Sequence, residues 1–219
     1  MKPTGMPKPI LIAFLSVEAA FYAAFLTLDF LGRGDETYGF KYGGILLCLI
    51  FACLCALRGG DKLTAAALAL TAAADRFLLL RGDHLTLGVA LFICVQGLYA
   101  LRLHRSGKGC GWLLRGSLAL VFLSLLFLLR LGSLRNALAV FCFSQLAANA
   151  VLSWHSPALH WFSLGLTLFI GCDICVGLFN ALPPSSAAHS VAYVGIWLLY
   201  LPSQVLIALS AAPQRETLP

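Results

Sequence analysis

Long apolar runs follow one another along this chain, each closed by glycine, proline or a cluster of charges. Breaking the sequence at those points leaves eight segments: 9–31, 39–58, 62–80, 84–104, 110–130, 134–153, 157–181 and 188–211. Each approaches the roughly 20 residues that a helix needs to cross a hydrocarbon core of about 30 Å. The connections are short: LGRGDETYG, RGGD, RGDH, HRSGKG, the stretch from Arg130 to Arg135, SWHSP and LPPSSAA. Short connections make consecutive helices antiparallel neighbours. The expected fold is all-α: a polytopic membrane protein with about eight transmembrane helices in a single bundle. One domain is expected over 1–219, with no soluble insert and no inverted internal repeat.

Composition narrows this further. Of 219 residues, 60% are hydrophobic and 11% charged, and the mean hydropathy is +0.90. A soluble domain of this length keeps far more polar surface, so a soluble protein is excluded. The net charge of +6 could suggest nucleic acid, but the basic residues stand at the ends of apolar runs. That is the pattern of a topology signal rather than of a phosphate-binding patch. Lys2, Lys8, Arg58, Lys62, Arg102, Arg105, Lys108 and Arg215 fall on the N-terminal side, with Arg115 close by. Arg33, Lys41, Arg81, Arg130 and Arg135 fall on the other. The excess predicts that both termini are cytoplasmic, with a bacterial cytoplasmic membrane as the expected location. The first apolar run passes Leu26 without a small-residue cleavage site and reads as a retained helix. Almost all of the eight cysteines lie inside apolar runs and read as small hydrophobes.

Polar side chains inside such runs are costly and default to a functional reading. The first segment carries Glu18, Tyr22 and Asp29 on one helical face. The third carries Asp75 and Arg76. Gln96 and Tyr99 are neighbours on the fourth. The seventh carries Asp173 and Asn180, and the eighth Tyr193, Tyr200 and Gln204, at spacings of seven and four. These narrow stripes look like the lining of one internal cavity. Segments 1, 3 and 7 run in the same direction. Counting back from their ends sets Asp75 and Asp173 roughly 8–12 Å below the same face.

Structural roles compete with this reading. Asp75 could pair with Arg76 or Arg81. Gln145 and Asn149 read as interhelical hydrogen-bonding groups, Arg115 as a snorkelling end residue, and Trp112, Trp154 and Trp161 as interface anchors. The five histidines lack metal-ligand spacing, and no metal is expected. Cys172 and Cys175 form a CxxC pair, but the pair is deep in the seventh segment, with no second exposed pair to relay electrons.

Four stretches, LTAAADRFLL, LFICVQGLYALRL, LFIGCDICVGLFN and YLPSQVLIALSA, resemble the lysoplasmalogenase family, the YhhN-like membrane proteins. Together they span segments 3 to 8. Asp75, Tyr99, Asp173, Tyr200 and Gln204 match the family pattern in order and spacing. The chain departs from it at Ala74, where the family has glycine; at Gln96, where it has histidine; and at Cys172, where it has serine. Asn180 falls one residue late. Gln96 cannot titrate, so a possible proton carrier is lost.

The resemblance implies hydrolysis of the vinyl ether bond of a lysoplasmalogen, without metal or organic cofactor. The products would be a fatty aldehyde and a glycerophospho-alcohol. That reaction needs a carboxylic acid that remains protonated near neutral pH and a second carboxylate to steady the cation or activate water. Asp75 and Asp173 are the candidates, with Arg76 able to keep one of them ionised. Gln96, Tyr99, Asn180, Tyr193, Tyr200, Gln204, Arg76 and Glu18 are the expected substrate-binding residues. The expected partner is a lysophospholipid entering from the bilayer, and no nucleic acid. A proton-coupled carrier of lipids or small amphiphiles, using the same carboxylates, is the rival from another class. A third option is a structural membrane protein whose polar stripes only hold helices together.

Overall fold

The computed structural model describes residues 6–81 and 84–213, apart from the side chains of residues 35, 79–81 and 108. Lys2 and Arg215, counted above for orientation, lie outside the described residues. So do the side chains of Lys108 and of Arg81, the second partner considered for Asp75.

Eight α-helices are seen among the described residues: α1 Lys8–Phe30, α2 Tyr38–Leu57, α3 Lys62–Asp75, α4 Leu85–Leu103, α5 Trp112–Leu128, α6 Leu134–Ser153, α7 His160–Ala181 and α8 Ala187–Leu209. Six helical segments are long and apolar enough to cross a membrane. Of the other two, α5 is 17 residues long, and α3 has 14 before it passes into a π-helical segment, Arg76–Arg81. The α-helical part of α3 rises only about 21 Å, shorter than a hydrocarbon core of about 30 Å. The chain is an all-α, integral membrane protein.

Local signals explain several boundaries. Pro7 stands at the N-terminal boundary of α1, where a missing N–H costs nothing. The Asp61 carboxylate caps α3 by accepting from the Leu63 and Thr64 amides at 3.3 and 3.1 Å. Ser133 caps α6 through the Asn136 amide at 3.2 Å. In the turn after α1, Arg33 donates to Glu36 through Nε at 2.7 Å and again through Nη2. Those hydrogen bonds hold the Glu36 carboxyl below its ordinary range.

The chain groups into two compact units. The first spans Met1–Leu98 with Ala208–Pro219, and the second spans Tyr99–Ile207. In the first, α2 packs against both α1 and α3. From Phe14 to Phe21 the α1–α2 hairpin keeps a nearly constant antiparallel register, and the reach of a long side chain joins the pair nearest the turn. Phe14 stacks on Phe51 at 4.2 Å, Glu18 meets Cys48, Phe21 lies 3.0 Å from the Cβ position of Gly43, and Asp29 meets Lys41. The α3 side is rich in alanine, and its small side chains let the backbones approach. The end of α8 closes onto the α2–α3 turn, where the Asp61 amide donates to the Ala211 carbonyl at 3.0 Å.

In the second unit, α6 packs against α5 and α7. Phe122 meets Phe143 edge-on at 5.4 Å, and the Trp154 indole donates to Thr167 at 3.1 Å. Along α7 and α8 the contact runs through glycine. A Cβ on Gly165 would lie 2.7 Å from Ile207 and 2.9 Å from the Ser203 carbonyl.

Candidate functional site

Asp75 ends the α-helical part of α3 and is buried, with 4% of its surface exposed. It continues a buried stripe of Thr64, Leu68 and Thr71, spaced three to four residues apart as one helical face requires. Arg76, the next residue, is exposed. Adjacent residues on a helix look about 100° apart, so the two charges that stand side by side in sequence face different surroundings. Thr71 is a further polar group of this face, one turn before Asp75, and its hydroxyl finds no hydrogen-bond partner among the described residues. An i, i+4 pair of this kind was readable in the sequence and was missed.

Glu18 faces α2, a neighbour that its stripe alone does not identify. Its Oε1 accepts from the Cys48 thiol at 3.3 Å, while Oε2 has no partner among the described residues. Asp29, on the same face, is held by Lys41 at 2.8 Å and is reached by the Thr37 hydroxyl at 3.3 Å. Lys41, counted above as a flanking charge, is buried in this ion pair beneath the Phe25 ring. Tyr22 is half-buried and lies edge-on to Phe25 at 5.2 Å. Gln96 on α4 is buried.

In the second unit α7 gives a common ruler. Asp173 is half-buried, with Cys142 of α6 in electrostatic range. Tyr200 is buried against Phe169 at 5.6 Å and Trp197 at 5.9 Å, about one turn along α7 from Asp173. Gln204 is fully buried. Its amide donates to the Ser203 hydroxyl at 3.1 Å, and its Oε1 has no partner among the described residues. It lies near the level of Gly165, about 12 Å from Asp173 along the axis. Tyr99 is fully buried and packs edge-on against Phe162 at 5.2 Å, about 16 Å from Asp173 along α7. Arg102 is buried over the same Phe162 ring at 4.3 Å.

On the other side of Asp173, Tyr193 is half-buried with its ring 5.9 Å from Phe179. Asn180 is exposed and donates to its own helix at the Val176 carbonyl, 2.8 Å away. From Phe162 to Phe179 the polar residues of this unit are therefore strung over about 26 Å of α7. Tyr200, at the level of Phe169, lies about one turn from Asp173. Cys142 and Arg102 join these surroundings without a sequence signal, because nothing in their spacing tells which helix they meet.

Hydroxyl and amide groups at these positions can donate and accept hydrogen bonds, and the carboxyls can exchange protons. No curated protein and no solved structure matches the chain. Residues 36–211, which include every residue of the candidate site except Glu18, match the YhhN family, and the chain belongs to that family.

Proposed function

We propose that this chain hydrolyses the vinyl ether bond of lysoplasmalogens, with Asp75 and Asp173 as its two catalytic carboxyls. The observation that carries the reading is the family match over residues 36–211, which contains both aspartates. In the proposed reaction a protonated carboxyl delivers its proton to the vinyl carbon β to the ether oxygen, leaving an oxocarbenium ion. The second, ionised carboxylate steadies that cation and takes a proton from the attacking water. The resulting hemiacetal collapses to a fatty aldehyde and a glycerophospho-alcohol. Each carboxyl ends in the other's starting state, and one proton exchange resets the pair.

Proton transfer by a positioned side chain contributes roughly 10²–10⁴-fold, and electrostatic support of the developing cation adds to it. Tyr200, one turn from Asp173, is suited to orient a substrate hydroxyl. Asp75 is buried on a helix that changes from α to π at that residue, and such transitions recur at functional sites. The substrate is a single-chain lysophospholipid that keeps its tail in the bilayer.

The test is aldehyde release by the purified protein in detergent, beside Asp75→Asn and Asp173→Asn. Release that either substitution lowers by at least about 10²-fold is expected. Full activity in both variants, or no release by folded wild-type protein, overturns the proposal. The spread of polar groups along α7 is the one observation that favours the carrier alternative, and substrate consumption without any gradient separates the two.

A further inference from the structure

Arg115 stands in the first turn of α5 and is buried, with 6% of its surface exposed. Its guanidinium makes three hydrogen bonds, all to neutral oxygens. Nε donates to the Cys110 carbonyl at 2.7 Å, Nη2 to Asn149 Oδ1 at 2.7 Å, and Nη1 to Gln145 Oε1 at 3.4 Å. No acidic side chain pairs with it among the described residues. Five N–H groups are available on a guanidinium, so two have no partner among the described residues.

A buried charge without a counter-ion is expensive, and the surroundings aggravate the cost. The bond to Cys110 draws the guanidinium back over the α5 N-terminus, which already carries positive dipole charge. No side chain caps that terminus and its first turn holds no acid. The boundary residue, Gly111, is left-handed at φ 58°, and a Cβ there would strike Leu152 at 2.6 Å. Gly109, two residues earlier, has φ 69°.

The second unit has little with which to neutralise this end. From Tyr99 to Ile207 the sequence holds Arg102, Arg105, Lys108, Arg115, Arg130 and Arg135 against one acid, Asp173. Asp173 sits in the second half of α7, about 20 Å along the axis from its first residue. Arg115 lies at the opposite end, beside the last turns of α6. The missing negative charge must come from outside the unit. Trp112 and Leu113, in the same turn as Arg115, are 76% and 91% exposed. They bring the site to the apolar boundary where lipid phosphates lie.

We propose that the α5 N-terminus and Arg115 form a phosphate-binding site, occupied by the headgroup of an anionic phospholipid. The α5 amides donate to one face of the phosphate, and the two spare guanidinium N–H groups to another. Asn149 and Gln145 fix the plane of the guanidinium. The site is independent of vinyl ether hydrolysis and requires none of its residues.

The test uses the full-length protein, delipidated in non-ionic detergent and offered phosphatidylglycerol, phosphatidylcholine or inorganic phosphate. Retained lipid is counted by native mass spectrometry, and the thermal unfolding midpoint is followed in parallel. Wild type should keep phosphatidylglycerol about fivefold better than phosphatidylcholine, and Arg115→Gln should lose that preference. Leu113→Glu provides a second variant at an exposed position. Its carboxylate occupies the helix end, stabilises the fold and expels the lipid. Inorganic phosphate that raises the midpoint of wild type, but not of Arg115→Gln, and displaces the lipid supports the phosphate site and assigns it to a soluble ester. Equal retention of both lipids by wild type, or a preference unchanged in Arg115→Gln and Leu113→Glu, overturns the proposal.

Discussion

Asp29 and Lys41 are twelve residues apart in sequence and meet across the α1–α2 turn, both almost withdrawn from solvent. The exchange between desolvation and attraction in such a pair is close to balanced. Removing one partner is not, because the other charge is then buried alone. Lys41→Met should therefore lower stability by about 3–5 kcal/mol, while the double change with Asp29→Leu should restore most of it. Unfolding in detergent of the two single variants and the double variant gives the coupling directly; an additive double variant would refute it. Glu18 illustrates a different condition one register step away. One oxygen has the Cys48 thiol and the other has nothing among the described residues, so its energetic cost is compensated by no ion pair seen there.

The helices are apolar on most of their surface, so their contacts depend on fit more than on the withdrawal of apolar surface from water. The α7–α8 contact at Gly165 is the clearest case. A methyl group there would press on Ile207 and on the Ser203 carbonyl at the same time. Backbone cannot swing aside as a side chain can, so Gly165→Ala should cost about 1–3 kcal/mol. It should also disturb Gln204, which shares that level of α8. The check is the unfolding midpoint of the variant, with Gly177→Ala as control, since a Cβ at Gly177 meets nothing. Equal midpoints would mean that α8 is free to move away. The π-helical segment after Asp75 is also an element-scale feature. A continuous helix over 62–80 was expected, and the chain instead widens its turn at the aspartate.

Eight crossings would return the chain to the side from which it started, and the surplus of lysine and arginine on that side predicts that both termini are cytoplasmic. Reporter fusions at residues 1 and 219 should both report the cytoplasm. A split result would mean that α3 or α5, the two shorter helices, fails to cross.

The number of helices, their approximate ends and the burial of Asp75, Gln96, Tyr99, Tyr200 and Gln204 were legible in the sequence. Apolar length reports a crossing, and a polar residue in an apolar run is affordable only where it faces protein. Periodicity also fixed which side of α1 carries Glu18 and Asp29. It could not tell which neighbour waits on that side, because a helical face has no address. Tertiary packing alone decided that Lys41 neutralises Asp29, that Arg115 meets only neutral oxygens among the described residues, and that Asn180 turns outward while Tyr200 turns in. The reason is one of range: crossing a membrane is a property of about 20 consecutive residues, whereas a partner is chosen by the rotation and register of two helices that the chain joins only through a turn.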